Sequence, residues 1–516
     1  AADVITKYLL RDPDGNFLEK DPDEMHRRLA REFARAESQY PNPMSESEIY
    51  DLLAGFKYLV PQGSPMSAIG NSHQIQSLSN CFVIDQPEDS YGGILLADQE
   101  QVQIMKRRGG VGFDISKIRP KGVVTSNAAR TTDGIGVFME RFSNSTREVA
   151  QGGRRGALML TIDCRHPEID TFLNIKRDLT KITGANISVR FMDDFLQAVE
   201  KNEQYILRWP VDVPVDKAKI TRIVNAKEIW DQFVDSAWAS AEPGALFWDT
   251  VRRTTPADIY DDDGFSSIST NPCGEIVLCP YDSCRLMALN LSSFVDNPFT
   301  PQAKFNFTKF YEVVIKSQRL MDDLVDLEIE AVDRIINKIA SDPQPEHVKR
   351  VEIELWAKIH EKAILARRTG LGITALGDAL AMLNVCYGSE MSITITEMIY
   401  EFMARAAHES SIVMAKERGP FQIFDYQMEK DHKYLNSIIK KLSPELQAMW
   451  KKYGRRNIAL TTTAPTGSVS CLTQTTSGIE PAYLLSYKRR RKLVSNTDSG
   501  VVPDFVDDSG DKWQEY

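Results

Sequence analysis

The run TNPCGEIVLCPYDSCRLMALNLSSF, residues 270–294, holds the residue types best suited to chemistry. Asn271, Cys273 and Glu275 occupy alternate positions, and in an extended chain alternate side chains share a face. The spacing therefore predicts an amide, a sulfur and a carboxylate around one cavity. Asn271 would hold the hydroxyls of a sugar-like substrate, Glu275 would move a proton, and Cys273 would carry a transient thiyl radical. Proton transfer needs contact geometry as well as the right residue. By residue type alone the run fits equally a turn with a packed cysteine and a solvated glutamate.

Seven cysteines stand in the chain with no CxxC pair, which suggests reduced thiols in the cytosol and no disulfide framework. Cys81 opens CFVI, a short apolar strand candidate, and Cys284 lies in DSC. Cys273, Cys279 and Cys284 are six and five residues apart, a poor fit to compact zinc motifs. Cys164, Cys279, Cys386 and Cys471 are expected to be small packing residues. The seven histidines include no HExxH, so no motif coordinates a metal directly; His73 and His166 are expected to satisfy local hydrogen bonds.

A second chemical segment is TTTAPTGSVSCLTQTTSGIEPAY, residues 461–483. Thr466, Gly467 and Ser468 offer hydroxyl or backbone donors to an anion, although a Pro-Gly turn capping a helix would look the same. Ser64 in GSPMS and Asn80 beside Cys81 are weaker candidates for substrate contact. Glycine recurs in RRGGVGFDIS, TTDGIGV and QGGRRGA, where backbone can approach a ligand closely and arginines can bind anions. None of these loops completes a dinucleotide or Walker signature, so flexible loops remain an equal reading.

The elements that must position these residues alternate between strand and helix. MHRRLAREFARAE and SEIYDLLAGF predict a helical entry region over residues 1–60. NISVRFM predicts a strand followed by the helical DDFLQAVEKN, and ALFWDTVRRT leads into the NPCGE run. Between 306 and 385 the pattern predicts long helices broken by Gly370 and Gly372, and EMIYEFMARAAHESSIVMAKERG predicts another. This alternation favours an α/β architecture. With 516 residues and 42% hydrophobic composition, one large catalytic domain from 61 to 516 is expected. A net charge of −10 argues against nucleic acid as a partner, and no apolar run approaches the length of a membrane span. The first residues lack the pattern of a secretory signal, so a cytoplasmic enzyme is expected.

N-P-C-G-E, PYDSCRLMALNLSSF, SNCFVI, APTGSVS and SGIEP together resemble the active-site segments of ribonucleotide reductases, above all the class that uses adenosylcobalamin. The resemblance runs from about residue 5 to 516. It implies a ten-stranded α/β barrel of two parallel five-stranded halves, with Cys273 as the thiyl residue that abstracts the ribose 3′ hydrogen. Asn271 and Glu275 become its substrate-contacting and proton-transferring neighbours, and Cys81 and Cys284 the reducing thiol pair. Thr466, Gly467 and Ser468 would hold the substrate diphosphate. The loops 127–135 and 152–157, with Asn127, Thr131, Thr132, Asp133, Arg154 and Arg155, would carry the nucleoside triphosphate effector and its message to the substrate.

The same resemblance implies adenosylcobalamin as radical source and a thiol reductant such as thioredoxin or glutaredoxin; the long helices need no role beyond packing, although a helix pair could form the two-fold contact of a homodimer that carries an effector site. Family chains continue past the segment resembling SYKRRRKLVSNTDSGVVPDFVDDSGDKWQEY, so the barrel is expected to be incomplete at its C-terminal end here, as one piece of a split enzyme, the product of a divided gene or a truncated chain, with a companion polypeptide expected to complete it. Two alternatives stand beside this reading: an aerobic reductase whose radical arrives from a separate ferritin-like protein, and a noncatalytic or regulatory remnant.

Overall fold

The computed structural model describes residues 2–149, 156–482, 484, 486, 488, 490–493, 500–507 and 510–515. The entry region folds as two capped helices. Asp21 accepts from the Glu24 N–H ahead of α1 (Pro22–Glu37), and Ser45 and Glu48 cap one another at α2 (Glu46–Leu53). Met25, Leu29 and Phe33 on α1 are fully buried in a cluster shared with Leu59, Leu289 and Leu324.

From β1 (Leu59–Pro61) the chain enters β2 (Cys81–Val83), α3 (Tyr91–Met105), β3 (Gly110–Asp114), α4 (Ile135–Glu148) and β4 (Leu158–Asp163). It continues through β5 (Asn186–Phe191), α5 (Ala226–Ser240) and β6 (Gly244–Phe247). Strands β2 to β6 are parallel neighbours in that order. Every residue of β3 and β4 is buried, the pattern of a parallel sheet covered on both faces. Helices cover one face, where Phe113 of β3 meets Phe142 of α4 edge to face with centroids 4.8 Å apart.

The other face is covered by a hairpin of the chain itself, β7 (Ser269–Thr270) paired with β8 (Val277–Leu278). It lies so close to the sheet that a Cβ added at Gly112 would stand 1.7 Å from the Thr270 carbonyl oxygen. Glycine at this position is a requirement of the approach.

Next, β9 (Ser283–Cys284) adds to the sheet antiparallel to β2. Strand β10 (Leu286–Asn290) pairs antiparallel with β1 and parallel with β11 (Gly370–Thr374). Between these two strands run α6 (Phe307–Ser341) and α7 (Glu346–Ala366), and α8 (Glu390–Arg418) follows β11. Gly370 and Gly372 are therefore not breaks within a helix, as their spacing suggested, but alternate residues of a strand. An added Cβ at Gly370 would meet Cys284 Sγ at 2.4 Å, and one at Gly372 would meet the Thr462 carbonyl at 2.5 Å. Both are glycine because sulfur and backbone pass there.

The result is an α/β fold with N-terminal helices and a six-stranded half-barrel sheet, five of whose strands are parallel. The opposite half is represented by β10, β11 and a single parallel bridge from Leu371 to Thr461; among the described residues there is no closed ten-stranded barrel. Arg490–Lys492, Phe505–Val506 and Lys512–Glu515 form a small antiparallel sheet of three short strands.

Candidate active site

The NPCGE segment is a turn. Asn271 closes it: its N–H donates to the Ile276 carbonyl at 3.2 Å and its Oδ1 accepts from the Ile276 N–H at 3.1 Å. The Gly274 N–H returns to the Asn271 carbonyl at 3.0 Å, with Gly274 at φ +80°. The extended arrangement expected from alternation is thus corrected: Pro272 and Gly274 favour a turn, and the asparagine amide seals it. The side chains still converge. Asn271 Nδ2 donates to Glu275 Oε2 at 2.6 Å and to Cys81 Sγ at 3.1 Å, and Cys81 Sγ lies 3.9 Å from Glu275 Oε1.

Strands β2 and β9 set Cys81 directly opposite Cys284. Opposed residues in an antiparallel pair have Cβ atoms about 4.5–5.5 Å apart. A disulfide needs about 3.5–4.5 Å, so a small strand displacement would close one. Both thiols are free and buried, whereas Cys273, at the tip of the turn, is exposed.

Burial, reinforced by the Glu275 carboxylate, pushes the Cys81 thiol well above the ordinary range. Burial raises Cys284 to about 12, with Arg285 and Arg368 opposing. Cys273 stands at about 11 because the walls around its accessible tip desolvate the thiolate and Glu275 repels it. Nucleophilic cysteines need depressed values. Three thiols held protonated are suited instead to giving hydrogen atoms. Burial also raises the Glu275 carboxyl, with the Asn271 hydrogen bond opposing.

These residues border a cavity of about 340 Å³ lined by Ser64, Asn80, Cys81, Asn271, Cys273, Glu275, Thr466, Gly467 and Ser468. Of the expected catalytic and substrate residues only Cys284 is not on its wall; it faces a space of about 230 Å³ that also touches Glu275. The Thr466 hydroxyl is already engaged, accepting from the Gly478 N–H at 2.6 Å and lying 3.1 Å from Thr374 Oγ1. Asn80 Nδ2 donates to Ser64 Oγ at 3.3 Å. Lys7, Tyr8, Gln62 and Arg108 also line the cavity and were not anticipated. Arg108 adjoins a glycine run that hinted at close approach, but nothing local ties Lys7 to residues far along the chain.

Asn127, Thr131, Thr132 and Asp133 lie on a surface loop away from this cavity, where the Thr132 carbonyl accepts from the Gly122 N–H at 3.0 Å. Arg154 and Arg155 fall outside the described residues. A larger cavity, about 750 Å³, opens at the carboxyl ends of β3, β4 and β5. It contains no thiol, and Asp163 there already pairs with Arg165.

Cys164 and Cys279 are buried as packing residues should be, but Cys386 is exposed, correcting its expected packing role: it sits in a surface turn with Sγ toward the Tyr387 carbonyl. His166 is buried and bonds the Ile118 carbonyl at 2.8 Å. Asp322, Asp323 and Asp326 cluster closely enough to hold a metal, but Arg367, Arg418 and Arg456 already neutralise them.

Residues 3–72 match the family model described as ribonucleotide reductase, all-alpha domain, and residues 79–508 match that described as ribonucleotide reductase, barrel domain. The chain belongs to the ribonucleotide reductase family. It is 30% identical over 489 residues to a vitamin B12-dependent ribonucleoside-diphosphate reductase of Mycobacterium tuberculosis, covering 94% of this chain and 61% of that one. A reductase of the same description from Thermoplasma acidophilum is 32% identical over 421 residues, 81% of this chain and 47% of the relative. A ribonucleoside-diphosphate reductase large chain of Neurospora crassa is 26% identical over 450 residues, 80% of this chain and 45% of the relative. The chain thus spans about half to three-fifths of the length of these reductases. No helix among the described residues is long and apolar enough to cross a membrane.

Proposed function

We propose that this chain is the catalytic part of a vitamin B12-dependent reductase that converts ribonucleoside diphosphates to deoxyribonucleotides in the cytosol. The observation that carries this is the convergence of Cys81 and Cys273 with Asn271 and Glu275 at one cavity, with Cys284 set directly opposite Cys81 on the neighbouring strand. In this reading residues 1–60 are a helical region and 61–516 belong to a ten-stranded catalytic barrel.

The substrate diphosphate would lie against the 466–468 turn. Because the Thr466 hydroxyl is engaged, backbone N–H groups and Ser468 supply the contacts, with Ser64 and Asn80 on the same wall. Asn271 orients the ribose hydroxyls. Cys273, as thiyl, takes the 3′ hydrogen, and Glu275 accepts the 3′-hydroxyl proton. The 2′ hydroxyl departs as water with a proton from the thiol pair. Cys81 and Cys284 give up two protons and two electrons in all and become a disulfide, one proton leaving in the water, one hydrogen atom passing to C2′ and the remaining electron to C3′; Glu275 then returns the 3′-hydroxyl proton and Cys273 the 3′ hydrogen. A thiol reductant such as thioredoxin or glutaredoxin then restores the pair.

Adenosylcobalamin, when bound, supplies the one-electron oxidation of Cys273 through homolysis of its cobalt–carbon bond. The loop tip fits such a group: Cys273 is exposed, and a Cβ added at Gly274 meets nothing within 4 Å, so the face of the turn is open. The rim at Pro272, Cys273 and Gly274 would face it. A nucleoside triphosphate effector would act through the loops at 127–135 and 152–157, in a homodimer.

Reconstitution of this chain, alone and with any companion polypeptide, with nucleoside diphosphate, thiol reductant and effector tests the reading. Deoxyribonucleotide formed only when adenosylcobalamin is added is the expected result. Formation only with a ferritin-like protein would contradict the cobalamin assignment, and no product with either would contradict reduction itself.

A further inference from the structure

Behind the cysteine pair lies a polar cluster closed to solvent. Glu328 of α6 is fully buried, and one carboxylate oxygen accepts from Ser77 Oγ at 2.5 Å and Ser79 Oγ at 2.8 Å, the other from the Leu78 N–H at 2.6 Å. These three residues lead directly into Asn80 and Cys81. Ser79 Oγ also lies 3.5 Å from Ser283 Oγ, and Arg285 Nη2 donates to both the carbonyl and the hydroxyl of Ser283 at 2.8 Å. Ser283 and Arg285 flank Cys284. One carboxylate from a long helix thus reaches, by hydrogen bonds, both strands that carry the facing thiols.

Burying a carboxylate in this way is costly unless it is well compensated. Apolar residues would fill the same space more cheaply, and none of Ser77, Ser79, Ser283, Arg285 or Glu328 lines the substrate cavity. The cluster is also incompletely satisfied: Arg285 is fully buried, yet its Nε and Nη1 have no hydrogen-bond partner. A buried group left without partners calls for a reason, and here its donors lie beside Cys284.

We propose that Glu328 is a positioning residue that sets the thiol–disulfide equilibrium of Cys81 and Cys284, clamping β2 and β9 in facing register while Arg285 takes up the displacement when the bond closes. This rests on the reading of Cys81 and Cys284 as the reducing pair. Closure removes two protons and two electrons from the thiols. In the test they pass to oxidised glutathione, giving two molecules of reduced glutathione.

The chain and its variants are equilibrated in glutathione buffers of graded ratio, trapped by alkylation and mapped for the Cys81–Cys284 disulfide, with circular dichroism to verify folding. Glu328→Ala is expected to lower the effective concentration of the thiols at least tenfold, moving the midpoint about 30 mV toward more oxidising potential. Glu328→Gln, which keeps an acceptor in place, should recover most of the shift, and Ser79→Ala should give a smaller one in the same direction. A wild-type disulfide whose midpoint neither Glu328→Ala nor Ser79→Ala moves would overturn the proposal alone. If Glu328→Ala does not fold, Ser79→Ala decides by the same criterion. A wild type that forms no Cys81–Cys284 disulfide at any ratio would overturn the thiol-pair reading, and the proposal with it.

Discussion

At the scale of single residues, the proposed chemistry would depend on hydrogen-atom donors remaining protonated until a radical arrives. Cys273→Ser should abolish deoxyribonucleotide formation while leaving nucleoside diphosphate affinity within about twofold by calorimetry, since a hydroxyl fills the same space but resists hydrogen abstraction. Retained turnover would remove Cys273 from the centre of the mechanism. Glu275 acts as a base only when ionised, and burial raises its carboxyl. Activity is therefore expected to fall with decreasing pH along a limb lying above the ordinary glutamate value of about 4.3. Glu275→Gln should cost about 10²- to 10⁴-fold in kcat and erase that limb.

Much of this site was legible in sequence because it is local: Asn271, Cys273 and Glu275 lie within five residues, and Cys81 and Cys284 stand in recognisable segments. The turn that holds the three was misjudged because alternation cannot distinguish a strand from a hairpin tip. Lys7 and Glu328 were invisible for another reason. Their significance is a matter of which distant strands fold against them.

At the scale of elements, the hairpin β7–β8 works because β3 leaves room for it. Gly112→Ala would put a methyl group against the Thr270 carbonyl. It is expected to cost about 1–3 kcal/mol in denaturant unfolding, in line with other overpacked sites, and to lower turnover more than tenfold by displacing Cys273. Stability and turnover both unchanged would mean that the hairpin does not rest on β3 in solution. The strand at Gly370–Thr374 shows why the glycines there misled: periodicity marks a glycine as a helix breaker, whereas this one yields space to Cys284 Sγ.

At the scale of the whole molecule, buried charge ties together helices distant in sequence. Glu37 of α1, Asp322 and Asp323 of α6 and Arg418 of α8 meet without solvent access, and Glu429 pairs with Arg455 in the same isolation. Three histidines are buried neutral, with burial pulling His26 and His166 down to about 4 and His408 to about 3. The unfolded chain binds protons on these groups below about pH 6.5 while the folded one does not. Folding stability should therefore decline as pH falls from about 6.5 to 4, and substituting all three histidines by glutamine should flatten that part of the urea-midpoint profile. An unchanged slope would show that other groups govern it. The half-barrel and its helices were legible from strand–helix alternation and the family segments, while the pairing of β10 with both β1 and β11 joins segments too far apart for any local pattern to show.

The most direct test of the central claim is a single-turnover experiment on the completed enzyme without external reductant, quantifying deoxyribonucleotide against the Cys81–Cys284 disulfide. One product per disulfide, with neither formed by Cys273→Ser, is the expected result. Product formed without that disulfide, or with electrons drawn from other cysteines, would contradict it.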